Sequence, residues 1–313
     1  MARKDHLGAS NMTPLAAVLE QLAEGEGYHP TILNGVGIFR SERSNQREPL
    51  CYRQGLIIMA QGTKRVYLED QVYEYNPDNY LVLTLPVPAD CEAITEPGRP
   101  LLSLVIDIDL TMLHEIVRVF DDCGRNPVAG TREPERSLFV SPAGADFRSC
   151  TLRLARALQD PVKAKVLGPG LVREILLHTL QGPGGSSLMA LARHNTSLSR
   201  LEPVMKYIHT HFANALDVEQ LAAMANMSSP TFHRNFRKVT SLSPIQYIKR
   251  IRLTRARDLL LDQQVQVGQA ASEVGYESPS QFSREFKRFF GQPPKSMAGG
   301  ASVPPGNHHA PAL

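Results

Sequence analysis

Residues 228–244 and 278–294 repeat one another at a constant offset of fifty. Phe232 aligns with Phe282, Arg234 with Arg284 and Phe236 with Phe286. The pair Arg237-Lys238 aligns with Lys287-Arg288, and Ser241 and Pro244 align with Gly291 and Pro294. Each copy opens on Ser beside Pro, a helix start in which Ser caps and Pro occupies the first turn. Ser278-Pro279-Ser280-Gln281 also has the form of a capping box. The C-terminal third must therefore accommodate the same small helical unit twice.

Within each copy the phenylalanines at i and i+4 share one helix face, which must be the buried one. The other side then carries Pro230, Thr231, His233, Arg234 and Arg237 in the first copy. In the second it carries Ser280, Gln281, Ser283, Arg284 and Lys287. Short hydrogen-bonding and basic side chains of these types read base edges and hold phosphates in a major groove. A short helix rich in small residues precedes each copy, Val218–Ala225 and Val267–Val274, and a tight turn follows it. Small residues let two helices cross closely, so each unit predicts a helix-turn-helix.

Ser243 caps a continuous helical pattern from Pro244 to about Leu261. Eighteen residues span about 27 Å, a strut that sets two recognition helices about one duplex turn apart. Lys249, Arg250, Arg252, Arg255 and Arg257 on this strut add positive charge, part of it expected toward phosphates. The charge balance agrees: residues from Leu198 onward hold 14 Lys+Arg against 8 Asp+Glu, whereas the preceding part holds 20 against 23. Only the C-terminal end is built to meet a polyanion.

From Ser199 to Met297 the chain resembles the DNA-binding domain of the AraC/XylS family of transcription regulators. The resemblance is carried by Ala256-Arg257-Asp258-Leu259-Leu260 and by the run from Val274-Gly275-Tyr276 through Gln281-Phe282-Ser283-Arg284 to Gly291-Gln292-Pro293-Pro294. One departure is Ser241, where the family usually has Gly at the end of the first recognition helix. Such a residue must accept or avoid a left-handed conformation.

The preceding part has a different character. After a short amphipathic segment, Pro14 to Ala23, short β-type runs follow: Leu56–Met59, Val66–Leu68, Val72–Tyr75, Leu81–Leu85 and Leu101–Ile108. Turn clusters separate them, which predicts an antiparallel barrel or sandwich. Helical stripes then occupy Leu110–Phe120, Ala145–Leu158 and Leu171–Leu180. Gly168-Pro169-Gly170 is read as a helix boundary and Gly182–Ser187 as a flexible joint. The stretch Gly55–Leu68, continuing through Tyr75-Asn76-Pro77, resembles the cupin-like ligand domains of the same family. That resemblance implies a small β-barrel that senses an effector or holds a dimer.

The expected fold is α+β and multidomain: an N-terminal antiparallel cupin-like β-barrel with a helical extension, then an all-α domain of two helix-turn-helix motifs. Its parts are an arm over 1–28, the β-rich regulatory domain over 29–110, a connector with a possible dimerisation role over 111–197, the DNA-binding domain over 198–298 and a disordered tail over 299–313. The expected partners are double-stranded DNA, a small-molecule effector, RNA polymerase and a second copy of the chain, with no membrane. The expected function is a sequence-specific transcription regulator, an activator by family resemblance, without catalytic cofactor. No apolar run approaches a membrane span and no signal segment opens the chain, so a cytoplasmic location is expected.

Two rival readings start from the N-terminal domain. A cupin-type metalloenzyme fused to a DNA-binding domain would need clustered histidines, and no histidine lies between His29 and His114. A ligand-independent architectural binder would need no effector pocket. Tyr52, Tyr67 and Tyr75 are the candidate effector-binding residues, set against the general preference of aromatics for strands. No metal ligand is assigned. His209 and His211 are read as surface residues, His308-His309 as part of the tail, and the four cysteines as reduced and structural, with Cys51 or Cys91 as a thiol sensor the sharper alternative.

Overall fold

The computed structural model describes residues 12–126, 135–263 and 265–299. Most of the N-terminal arm, residues 1–11, and the tail beyond 299 with His308-His309 lie outside the described residues. The first helix, α1 (Pro14–Leu22), begins where the Thr13 hydroxyl accepts from the Ala16 N–H. The same hydroxyl donates to the Ala60 carbonyl at 2.8 Å and pins the helix start to a strand.

Nine strands follow: β1 (Gly27–Pro30), β2 (Val36–Ser41), β3 (Asn45–Tyr52), β4 (Gly55–Gln61), β5 (Thr63–Leu68), β6 (Gln71–Tyr75), β7 (Asn79–Leu83), β8 (Val87–Ile94) and β9 (Leu101–Asp107). After α2 (Leu110–Asp122) comes β10 (Leu138–Pro142). The strands form two antiparallel sheets, ordered β1-β2-β9-β4-β7-β10 and β3-β8-β5-β6. Hydrogen bonding does not close them into one continuous barrel; they face each other in a cupin-like arrangement across a core that includes Ile57, Met59, Val66, Leu68 and Leu83.

The six-stranded sheet is buried on both faces, which explains why Leu56–Ala60 is continuously apolar rather than alternating. Ile57 and Met59 enter the core between the sheets, while Leu56, Ile58 and Ala60 face the helices. Those helices are α1, α2, α3 (Ala145–Ala157) and α4 (Pro161–Gln181).

α4 runs straight through Gly168-Pro169-Gly170, so the expected boundary there is incorrect. An internal proline costs about 3 kcal/mol. Burial of Ala164, Leu171, Val172, Ile175, Leu176 and Leu180 on one face outweighs it, at about 1.5–3 kcal/mol for each large aliphatic side chain. Gly168 allows the close approach to Leu33, whose Cδ2 would lie 2.7 Å from an added Cβ. The Gly182–Ser187 stretch is likewise a packed corner rather than a loose joint. Gly184 adopts φ +80° against Phe139, and α5 (Gly185–Ala192) starts at once with nearly its whole length buried.

The remaining helices are α6 (Ser197–His211), α7 (Val218–Met224), α8 (Ser229–Thr240), α9 (Pro244–Asp262), α10 (Val267–Glu273), α11 (Pro279–Phe290) and α12 (Pro294–Gly299). One apolar core runs from the outer face of the large sheet through α5 and α6 into α7, α8 and the first half of α9. A separate core holds Leu253, Ala256 and Leu260 of α9 together with Ala270, Ala271, Val274, Phe282 and Phe286.

Candidate nucleic-acid interface

Each helix-turn-helix is assembled from a short helix, a turn and a recognition helix. Asp217 caps α7 by accepting from the Glu219 N–H at 3.0 Å. The α7–α8 turn passes through Asn226 at φ +52°, a conformation that Asn tolerates better than most side chains. The equivalent turn between α10 and α11 uses Gly275 at φ +81°, where a Cβ would lie 2.1 Å from the Ala213 carbonyl oxygen. Only glycine fits that second turn.

The phenylalanines behave as their spacing predicts. Phe232 and Phe236 are fully buried on α8 with ring centroids 5.4 Å apart, and Phe282 and Phe286 repeat this on α11 at 5.4 Å. Opposite them, Pro230, His233, Arg234 and Arg237 are exposed and Thr231 is half-buried. On α11, Ser280, Gln281, Arg284 and Lys287 are exposed and Ser283 is half-buried. Among the described residues, none of Arg234, Arg237, Arg284 or Lys287 forms an ion pair. Gln281 is partly engaged, since its Nε2 donates to Glu285 Oε1 at 3.3 Å. Ser278 caps α11 by accepting from the Gln281 N–H, but the Gln281 side chain turns to Glu285, so the expected reciprocal capping box is only half made.

α9 spans 19 residues, about 28 Å, and its capping box is complete between Ser243 and Gln246. Tyr247, Ile248 and Ile251 join the first core; Leu253, Ala256 and Leu260 join the second. Several of its basic residues have structural partners instead of facing phosphates. Arg252 donates to the carbonyls of Phe212, Gly275 and Asn214. Lys249 pairs with Glu285 at 3.0 Å, and the Arg250 guanidinium lies 5.8 Å from the Phe289 ring centroid. Glu285 is the hub of the second unit, accepting also from the Tyr276 hydroxyl at 2.8 Å. Burial alone would raise its pKa; hydrogen bonds from Lys249, Tyr276 and Gln281 overcome this and hold it below the usual glutamate value.

Several side chains among the described residues tie this domain to the β-rich domain. Buried Arg257 donates from Nη1 to the Pro49 carbonyl at 2.7 Å and lies 3.7 Å from Glu48. Ser137 donates to the Val239 carbonyl at 2.7 Å, near the end of α8. The Tyr247 hydroxyl donates to the Pro86 carbonyl at 2.9 Å, so His209, 2.8 Å away, must donate to that hydroxyl from a protonated Nε2. His209 is therefore an interface residue and not a surface one. Burial, then the charges of Arg255 and Arg53, push its pKa down to about 3. His211 stacks on Tyr207 at 4.2 Å. No sequence period marks Arg257 or His209 as interface groups, because their partners lie far away in the chain.

The three tyrosines do not converge on one pocket. Tyr52 and Tyr75 are fully buried between the sheets, whereas Tyr67 is half-buried on the outer side of β5, donating to Glu92 at 2.7 Å beneath Arg47. An open groove of about 310 Å³ lies elsewhere, lined by Thr13, Gln61, Thr63, Thr95, Glu96 and Arg99 among others. Cys51 and Cys91 are buried, and burial drives the Cys51 thiol up to about 12 and raises that of Cys91, which suits inert packing and not a reactive sensor.

The family model for the AraC-type transcriptional regulator N-terminus matches residues 32–187, and a helix-turn-helix domain model matches residues 221–299. The chain belongs to the AraC-type transcriptional regulators. Two curated relatives within this family match over the C-terminal third. The HTH-type transcriptional activator RhaS of Klebsiella pneumoniae (strain 342) is 33% identical over 115 residues, 37% of this chain and 41% of that protein. The Msm operon regulatory protein of Streptococcus mutans is 30% identical over 104 residues, 33% of this chain and 37% of that protein. The chain thus matches only about two fifths of the length of these AraC-type relatives. Crystallised ToxT of Vibrio cholerae has a similar fold, with a TM-score of 0.52 at 11% identity over 87% of this chain and 98% of that one. A ToxT structure bound to an unsaturated fatty acid superposes with a TM-score of 0.52 at 10% identity, covering 84% of this chain and 94% of that one. At these identities the likeness is one of fold. Among the described residues no helix is long and apolar enough to cross a membrane.

Proposed function

We propose that this AraC-type regulator binds double-stranded DNA sequence-specifically and activates transcription, placing α8 and α11 in two successive major grooves. The observation that carries this reading is the pairing of two recognition helices on one strut, each with a buried Phe pair behind and an exposed polar and basic face in front. Arg234 and Gln281 have side chains suited to bidentate base contacts, while Arg237 and Lys287, about a turn or more further along, suit phosphates. Residues 198–298 act as the DNA-binding unit and 111–197 as the connector through which two copies associate. RNA polymerase is the partner recruited. A small molecule acting on the N-terminal domain changes DNA occupancy, through the side chains that join it to α8 and α9; the open groove beside Gln61 and Arg99 is its candidate seat, at the lower end of ligand-pocket volumes. The protein acts by binding, without a catalytic step.

The test is a competition titration of the full chain against single-base variants of a selected duplex, repeated between 50 and 200 mM salt, the range over which phosphate contacts dominate. Gln281→Ala is expected to lose about 1–3 kcal/mol on the selected site and to relax preference at one or two base pairs. Lys287→Ala is expected to weaken selected and scrambled duplexes alike and to lower the salt slope by about one. A flat salt dependence, or the two variants exchanging these signatures, would overturn the groove assignment.

A further inference from the structure

α3 and α4 pack side by side on the outer face of the large sheet, and each offers metal-binding chemistry to the other. On α3, Cys150 and Arg153 are three residues apart and share a face. On α4, Glu174 and His178 are four apart and share the facing stripe. The Cys150 thiol, a Glu174 carboxylate oxygen and a His178 ring nitrogen all lie within 4.8 Å of one another. We propose that Cys150, Glu174 and His178 bind one divalent transition-metal ion of the zinc class and so clamp α3 to α4.

The donor set favours this class of ion. A soft thiolate and a borderline imidazole beside one carboxylate suit zinc and its neighbours, whereas magnesium and calcium take oxygen ligands throughout. A tetrahedron with bonds of about 2.0–2.3 Å sets its ligand atoms about 3.5 Å apart. Side-chain rotation of about an ångström closes the three groups to that spacing. Three protein ligands leave a fourth position for water, the pattern of an open site.

The surroundings supply what such a site needs. Arg153 Nη1 donates to Glu174 at 2.9 and 3.1 Å, so the carboxylate is already oriented and retains lone pairs for an ion. Cys150 Sγ donates to the Phe147 carbonyl at 3.2 Å; that hydrogen leaves to solvent as the sulfur–metal bond forms. Cys150 is fully buried while Glu174 and His178 are half-buried, so an ion enters from the solvent side and meets the thiol last. The site is far in sequence from both recognition helices, and its binding is measurable whether or not the DNA assignment holds.

The probe is Co2+ added to the metal-free full-length chain under reducing conditions, because a cobalt–thiolate bond gives a near-ultraviolet charge-transfer band. One equivalent is expected to develop the band and Zn2+ to displace it. Cys150→Ser is expected to abolish the band, and His178→Gln, at a half-buried position that leaves the core intact, to weaken binding at least about tenfold. Zn2+ should also raise the thermal midpoint of the native chain but not of His178→Gln. Replacing His308 and His309 together should leave the titration unchanged. Absence of the band, or a band that persists in Cys150→Ser because another thiol such as exposed Cys123 carries it, overturns the proposal.

Discussion

The two helix-turn-helix units share a sequence pattern but differ in what holds them. The first, α7 and α8, belongs to an apolar core that continues through α5 and α6 to the outer face of the regulatory sheet. The second, α10 and α11, has its own small core; Arg257 of α9 touches β3 on one side and lies 5.8 Å from the Phe290 ring centroid on the other, and Arg252 joins Gly275 to the end of α6. A continuous apolar core resists separation, since it must expose area at about 25 cal/mol per Å². A side chain held by the Pro49 carbonyl and the Glu48 carboxylate is released at smaller cost, because water replaces both partners on opening. On the proposed function, a signal in the N-terminal domain would reach α8 through apolar packing and α11 through polar contacts. The two similar units are therefore held differently.

Truncating one phenylalanine in each unit is the strongest challenge to this comparison. Phe236→Ala and Phe286→Ala should each cost about 3–5 kcal/mol locally. The first is expected to lower the main unfolding transition, shared with the N-terminal domain. The second should split off an earlier transition confined to α10–α12. Calorimetry combined with hydrogen exchange measures both. A single transition lowered equally by both variants would show that the second unit is not separate.

The pH response of the domain interface sharpens the same contrast on the first unit's side. His209 is neutral in the fold because burial and the nearby Arg255 and Arg53 push its pKa from 6.5 down to about 3. The unfolded chain then binds more protons between those values, so this group's contribution to stability is full above about 6.5 and is lost progressively as pH falls below it. The native chain should lose more of its thermal midpoint between pH 7 and 5 than His209→Gln, in which the amide can still donate to Tyr247. Parallel losses in the two proteins would remove His209 from the interface account. A change that tracks the α10–α12 transition instead would place the pH response in the wrong unit.

The repeat shows where sequence is sufficient. The i, i+4 phenylalanines fixed the buried faces of α8 and α11 because helical periodicity is a local property. The β-type runs of β4, β5, β6, β7 and β9 were legible from residue type and flanking turn clusters, while β1, β2, β3, β8 and β10 were not singled out; in β2, β3 and β8 the runs carry Gly37, Pro49 and Pro88. Gly168-Pro169-Gly170 misled because local propensity opposed a helix that tertiary burial imposed. The strut cations misled differently. Arg252 and Lys249 look like phosphate ligands in sequence, and only folding reveals that Asn214, Gly275 and Glu285 already hold them. The same limit hid the Cys150, Glu174 and His178 cluster, whose members come from two helices.

The smallest expected effect lies at the ends of the two recognition helices, where the repeat departs from itself. α8 ends on Ser241 at φ +63° and α11 on Gly291 at φ +77°, so both helices close through the same left-handed cap. Each cap N–H bonds back to the residue four earlier, Arg237 or Lys287, which keeps the geometry in place whatever the side chain. A Cβ in this conformation costs about 1–2 kcal/mol, while glycine gives the unfolded chain extra entropy worth about 0.4–1 kcal/mol. Ser241→Gly should therefore stabilise the first unit by about 0.5–1 kcal/mol, the difference of those two terms. Gly291→Ala should destabilise the second by a similar amount, because nothing lies within 4 Å of the added Cβ and only the backbone strain counts. Denaturant titrations of the two variants read these changes. If Ser241→Gly instead weakens the chain, the serine side chain must contribute packing at α8 that has no counterpart at Gly291, and the two helix ends are not equivalent.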